Sequence, residues 1–201
     1  MSAPHPLVRR ASVADIQRAS AVLADAFSDY PWTRWTVAAD DHEERVRNLQ
    51  RLAMERIALP HGEIWVAIDS DGAIASVAVW MLPTSTVPAA AVRAMAAQQA
   101  TFEGSRHEAS IRAEEHVASL RPTSAHYYLG AVGTRRDCQR NGFGSAVLVP
   151  VLERARAETV EVFLETSSPE NVEFYAALGF ETVAETDLPG GGPHVWAMVR
   201  P

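Results

Sequence analysis

Gln139-Arg140-Asn141-Gly142-Phe143-Gly144 stands between an apolar stretch, His126-Tyr127-Tyr128-Leu129-Gly130-Ala131-Val132, and a helical run from Ser145 to Ala157. A strand, a glycine loop and a helix start, in that order, build an anion site. Backbone N–H groups in the first turn of a helix have no partner within it, and the helix dipole favours a negative ligand there. Glycine serves such a loop twice: it takes φ values that other residues avoid, and it lets a phosphate approach the backbone. A P-loop would follow its last glycine with Lys-Ser/Thr, whereas Gly144 precedes Ser145 and Ala146. A dinucleotide fold needs a small residue three positions after its second glycine and a tight first turn. Here Val147 takes that position, and the loop from Thr134 to Asn141 is too long. Both familiar nucleotide patterns fail on particular residues.

The rest of the chain narrows the class. Its 201 residues suffice for one domain with a sizeable core, and the formal net charge of -7 argues against nucleic acid as a partner. No apolar run approaches the ~20 residues that cross a bilayer, so no membrane association is expected. Met1-Ser2-Ala3-Pro4-His5-Pro6 lacks the apolar centre of a secretory leader. The single cysteine, Cys138, excludes an internal disulfide and suits a reducing compartment. A cytoplasmic protein is the expectation.

Patterning predicts the order of elements. Leu7 to Arg10 reads as a strand, and Ser12 with Asp15 as a capping box before a helix whose stripe is Val13, Ile16, Ala19, Val22, Leu23 and Ala26. Residues 27–35 read as an aromatic-rich irregular segment, and 40–59 as a second helix. Asp71-Gly72 joins strands 64–68 and 73–80 as a hairpin. Pro83 to Pro122 reads as a helical, alanine-rich insert broken near Gly104, polar enough to lie over a surface as a lid. The strand at 126–134, the glycine loop and a helix with Pro150 inside it follow, the proline expected to kink that helix. A strand at 161–166, a helix at 169–178 ended by Gly179, and strands at 181–186 and 195–200 joined through Gly190-Gly191-Gly192-Pro193 close the chain. The sum is one α/β (α+β) domain over residues 1–201: a mixed sheet of about seven strands flanked by helices, with the insert between strands 3 and 4.

What remains of the glycine loop is Gln/Arg-x-x-Gly-x-Gly/Ala, met by Gln139, Gly142 and Gly144. At this point the chain resembles the GCN5-related N-acetyltransferase (GNAT) superfamily, which cradles the pyrophosphate of coenzyme A with that loop. A second family region, strand then Asn then an aromatic pair then Leu-Gly-Phe, is matched by Phe163-Leu164-Glu165-Thr166, Asn171, Phe174-Tyr175 and Leu178-Gly179-Phe180. Further stretches, among them Ala26-Phe27-Ser28-Asp29-Tyr30-Pro31 and Leu164-Glu165-Thr166-Ser167, are similar to the puromycin N-acetyltransferase subfamily, an antibiotic-resistance group. The resemblance implies acetyl-CoA as co-substrate and no metal. It implies a cofactor surface made of the backbone of Val132, Gly133 and Thr134, the loop Gln139, Arg140, Asn141, Gly142, Phe143, Gly144 and Ser145, and the amide of Asn171. Two departures stand out: Arg136 where the family usually has proline, and Thr134 where it usually has valine or isoleucine. Arg135, Arg136 and Arg140 form a basic cluster that suits phosphates.

Acetyl transfer to an amine needs a neutral nucleophile, a donor to the carbonyl oxygen and a proton for the departing thiolate. Tyr175 is the candidate acid, sharing a helix face with Asn171 and Phe174 at i, i+3, i+4 spacing. Glu165 is the candidate base or, equally, a structural carboxylate bonded to its neighbours. Tyr30 and Trp32 with Trp35, and Trp80 at a strand end, are candidates to line an acceptor pocket or to be core. His107 and His116 with their neighbouring glutamates read as a solvated surface. Cys138 finds no partners for a covalent mechanism. The partner expected is a small-molecule amine, for a monomer or homodimer. The alternatives are a silent acyl-CoA-binding module and a transferase for protein N-termini or lysines.

Overall fold

A computed structural model describes residues 6–201; Met1–His5, part of the segment read above for a leader, lie outside the described residues. Seven strands form one sheet in the order β1-β2-β3-β4-β5-β7-β6. They are β1 (Leu7–Arg10), β2 (Glu63–Ile68), β3 (Ile74–Met81), β4 (Tyr127–Thr134), β5 (Val162–Thr166), β6 (Glu181–Asp187) and β7 (His194–Arg200). Every neighbouring pair is antiparallel except β4 and β5. The helices are α1 (Ile16–Phe27), α2 (Pro31–Thr36), α3 (His42–Ala53), α4 (Ala89–Glu103), α5 (His107–Ala118), α6 (Phe143–Glu158) and α7 (Pro169–Ala177). No helix among the described residues is long and apolar enough to cross a membrane.

The apolar stripe of α1, with Ile16, Ala19, Val22 and Leu23, packs on one face of the N-terminal half of the sheet against Val66 and Val77. On the opposite face α6 buries Val147, Leu148, Val151 and Leu152 against Ala78, Trp80, Leu129 and Leu164. The helix runs in one piece through Pro150. The segment from 27 to 35, expected to be irregular, is largely α2. Pro31 supplies the preset φ of a first helical position, and Thr33 and Thr36 turn their hydroxyls back to the carbonyls of Phe27 and Trp32. The second helix also runs further than expected, α3 continuing through a wide turn at Met54–Ala58 to His61.

The insert between β3 and β4 is two helices, and it docks rather than merely covering a surface. Arg45 of α3 donates to the carbonyls of Thr101 and Phe102, and Arg106 to that of Trp35. Glu103 is buried, its carboxylate bonded to Gln99, His107 and Ser110. Ala113 and Val117 of α5 close over Trp32 and Trp35 of α2 and over Leu188 and Val195 beside the β6–β7 turn.

Candidate active site

The site is made by two parallel strands that pair briefly and then part. β4 and β5 align only at Tyr127–Val162 and Tyr128–Phe163. Just beyond, Gly130 has no partner on β3, whose Trp80 and Val79 face Leu129 and Ala131. That bulge turns the strand. The Arg135 N–H bonds Ala75 O at 2.9 Å, which sets the phase of the antiparallel ladder. By alternation Gly133 and Ala131 spend their N–H groups on β3, while those of Val132 and Thr134 face the gap on the β5 side. Of the three residues predicted to offer backbone here, Gly133 therefore does something else. A Cβ at Gly133 would lie 2.8 Å from Ala26 Cβ and 3.0 Å from Leu23 Cδ2, so only glycine lets α1 lie this close to β4.

The glycine loop then delivers α6 to the mouth of the gap. Gly142 caps the helix at φ +81°, and Arg140 also sits at positive φ, +61°. The Ala146 N–H bonds Gly142 O, leaving the N–H groups of Phe143, Gly144 and Ser145 without acceptors among the described residues. Gln139 and Asn141 brace the loop, donating to the carbonyls of Thr134, Cys138 and Gln139. The predicted arginine cluster is divided. Arg135 pairs with Asp69 and Asp137, and Arg136 with Asp25 and Asp29, so these carry no free charge to a phosphate. Arg140 makes no ion pair or side-chain hydrogen bond among the described residues and is the cation left for an anion. The departure at Arg136 also has a use: its N–H donates to Asp25 at 2.9 Å, a bond that proline could not make.

Across the gap, β5 ends at Thr166, Ser167 follows, and Ser168 caps α7. Asn171 lies beside that turn, its amide donating to Thr166 Oγ1 at 3.2 Å. Tyr175 is 6% exposed, its ring packed edge-on against Phe174 and Phe180. Its hydroxyl has no hydrogen-bond partner among the described residues. Burial pushes the phenol well above its ordinary pKa, with Tyr30 adding to the rise. The group is a neutral O–H at physiological pH.

The remaining candidates separate. Tyr30 reaches the turn after β5: its hydroxyl accepts the Ser167 N–H at 2.7 Å and lies 3.0 Å from Thr166 Oγ1. Trp32 bonds Ser167 Oγ through its backbone N–H, and its ring packs under α5. Trp80 is fully buried beneath α6, so it is core and not a pocket wall; a strand end with neighbours on both sides buries a large ring that sequence alone leaves ambiguous. Glu165 is not a free base. Arg121 Nε donates to one oxygen at 2.9 Å and Tyr128 Oη to the other at 2.8 Å. Arg121, which stacks over the Tyr128 ring and reaches Glu114 at 3.4 Å, escaped the sequence reading because the end of an insert gives no local sign of its target. His107 and His116 bond Glu103 and Thr186 and serve the docking of the insert.

Comparison with known proteins bears on this geometry. A family profile described as "Acetyltransferase (GNAT) family" matches residues 24–180. Among solved structures, the chain is similar to a histone acetyltransferase HPA2 and related acetyltransferase from Corynebacterium glutamicum, at 28% identity and a TM-score of 0.78, covering 98% of this chain and 96% of that one. A polyamine N-acetyltransferase from Drosophila melanogaster shares the fold at 16% identity and a TM-score of 0.65, over 96% and 98% of the two chains. So does the ribosomal-protein-S18-alanine N-acetyltransferase of Escherichia coli, at 14% identity and a TM-score of 0.57, over 97% and 92%.

Proposed function

Because this chain belongs to the GNAT acetyltransferase family, we propose that it moves an acetyl group from acetyl-CoA to the primary amine of a small molecule by direct attack on the thioester. The observation that supports the reading is the gap between β4 and β5, which leaves the N–H groups of Val132 and Thr134 turned away from β3, together with an unpartnered Tyr175 hydroxyl on the helix that follows β5. The N–H groups of Phe143, Gly144 and Ser145, with Arg140, would hold the pyrophosphate. The pantetheine arm would run along Val132 and Thr134 as an added strand, with Asn171 opposite. Coenzyme A supplies the activated thioester. The amine nitrogen forms its bond to the carbonyl carbon, negative charge gathers on the oxygen toward the backbone donors, and the C–S bond breaks. Tyr175 gives its proton to the leaving sulfur.

Glu165 takes a reduced part. Both of its oxygens already accept hydrogen bonds, from Arg121 and from Tyr128, so it orients the incoming amine while the proton passes to water. The insert, closed over Trp32 and Trp35, supports a covered acceptor side suited to a small molecule. The sequence likeness to puromycin N-acetyltransferase makes an aromatic amine the first acceptor to try, in a cytoplasmic setting.

The test is thiol release from acetyl-CoA across puromycin, other aromatic amines, polyamines and N-terminal peptides. Release with a small amine is expected, and Tyr175→Phe should slow it about 10²-fold or more with little change in acetyl-CoA affinity. Binding of acetyl-CoA without release to any amine or peptide would make the chain a binding module.

A further inference from the structure

The polar groups where β5 passes into α7 converge on one oxygen. Asn171 stands in the first turn of α7, and side chains on a helix lean toward its N-terminus, so this one leans back over the strand end. There its Nδ2 donates to Thr166 Oγ1 at 3.2 Å. Thr166 is buried and is fixed from another side as well. Its Oγ1 lies 3.0 Å from Tyr30 Oη, which accepts the Ser167 N–H at 2.7 Å. The Ser168 N–H donates to the same threonine oxygen at 3.4 Å, and the Trp32 N–H holds Ser167 Oγ at 3.1 Å. Thr166 is thus braced by the start of α2, by its own turn and by α7.

That brace decides which end of the Asn171 amide is free. A primary amide has one acceptor atom and two donor protons. With two N–H groups donating to it, Thr166 has Tyr30 Oη as the acceptor in reach of its own proton, and it offers Asn171 a lone pair. Asn171 therefore keeps Oδ1, which makes no hydrogen bond among the described residues. The pantetheine arm of coenzyme A contains trans amides, whose C=O and N–H point in opposite directions. An arm amide whose carbonyl accepts from the N–H of Val132 or Thr134 turns its own N–H toward α7. An oxygen there completes the bond, whereas an outward –NH2 would set donor against donor. Only one of the two orientations of the Asn171 amide serves such an arm.

We propose that Thr166 is a positioning residue for the acyl donor: its hydroxyl, held by Tyr30, pins the Asn171 amide nitrogen so that the Asn171 oxygen accepts an N–H of the pantetheine arm. This rests on the acetyl-transfer reading above, in which Asn171 lies across the gap from Val132 and Thr134.

The experiment compares the affinities of two ligands by equilibrium titration: coenzyme A, and adenosine 3′-phosphate 5′-diphosphate, which is coenzyme A without its pantetheine arm. Thr166→Val keeps the shape of the side chain and removes the oxygen. It should weaken coenzyme A about tenfold, the worth of one well-made hydrogen bond, and leave the armless nucleotide unchanged. Thr166→Ser, which restores the hydroxyl, should bind both ligands as wild type does. In an Asn171→Ala background Thr166→Val should add almost nothing, because the two residues act as one unit. Wild-type affinity in Thr166→Val, equal weakening of both ligands, or the same loss in both backgrounds overturns the proposal. Should Thr166→Val fail to fold, Thr166→Cys keeps a side chain of similar size with a weak acceptor, and the same split between the ligands is expected; its absence overturns the proposal. An Asn171→Ala variant that binds coenzyme A as wild type does would sink the assignment of Asn171 to the arm. That result is distinct from an impaired Asn171→Ala beside an unimpaired Thr166→Val, which sinks the role of Thr166 alone.

Discussion

Gly142 and Gly133 are both glycines of the candidate cofactor surface, and the structure requires them for opposite reasons. At Gly142 the backbone is left-handed, and a Cβ would meet nothing within 4 Å, leaving open space where the proposed anion site would lie. At Gly133 a Cβ would meet Ala26 and Leu23 of α1. Gly142→Ala should therefore lose about 1–2 kcal/mol of stability to the unfavourable φ. If the loop cradles the pyrophosphate as proposed, the added methyl group should also weaken acetyl-CoA binding by roughly tenfold or more, ~1.4 kcal/mol. Gly133→Ala should cost about 1–3 kcal/mol by overpacking and leave the affinity of the folded fraction nearly intact. Urea denaturation and calorimetric titration of both variants separate the two roles, and equal loss of affinity in the two would refute the division.

At the scale of elements, two buried acids fasten strands to helices. Asp15 accepts the N–H and hydroxyl of Ser12 and both outer nitrogens of Arg9, so the expected capping residue also ties β1 to the start of α1. Glu63 on β2 accepts both outer nitrogens of Arg154 on α6 at 3.0 and 2.9 Å, together with the Trp65 indole. Burial alone would raise the Glu63 carboxyl; Arg154, Trp65 and Arg10 outweigh it and hold the group below its ordinary value. The folded pKa is depressed, so the stabilisation is complete above the unfolded value near ~4.3 and disappears as pH falls through the folded one. Glu63→Gln leaves the half-buried Arg154 without its countercharge, and a loss of about 1–3 kcal/mol at neutral pH is expected. Arg154→Met added to Glu63→Leu should cost less than either broken pair. The gap between wild type and Glu63→Gln in urea should narrow below pH 4; a constant gap would assign the loss to packing. The first of these acids was legible from a four-residue pattern, whereas Glu63 reads as the polar start of a strand until the fold brings α6 to it.

Across the whole molecule, what the sequence could reveal followed distance along the chain. The sheet, its insert and the glycine loop are written in local periodicities and in motifs a few residues long, and they are present where expected. The sharing of Arg135 and Arg136 with acids far upstream, the burial of Trp80 and the seizure of Glu165 by Arg121 depend on contacts between distant segments, for which no spacing rule exists. The insert is the largest such case, because it brings to one side of the gap both a wall over the α2 tryptophans and the arginine on Glu165. The donor loop between β4 and α6 is not among the groups that Glu103, Arg45 and Arg106 bond. Loosening the insert should then harm the acceptor half of the reaction alone. Glu103 is the anchor to remove, since Gln99, His107 and Ser110 all converge on it and its own N-terminal helix is held at α3 by Arg45. Glu103→Ala should raise the amine KM by roughly tenfold, ~1.4 kcal/mol, with acetyl-CoA affinity unchanged by equilibrium titration. Ser110→Ala, which deletes one of the three bonds, should follow in the same direction with a smaller effect. Parallel losses in both substrates would mean that the insert supports the sheet as a whole and does not shape the acceptor side.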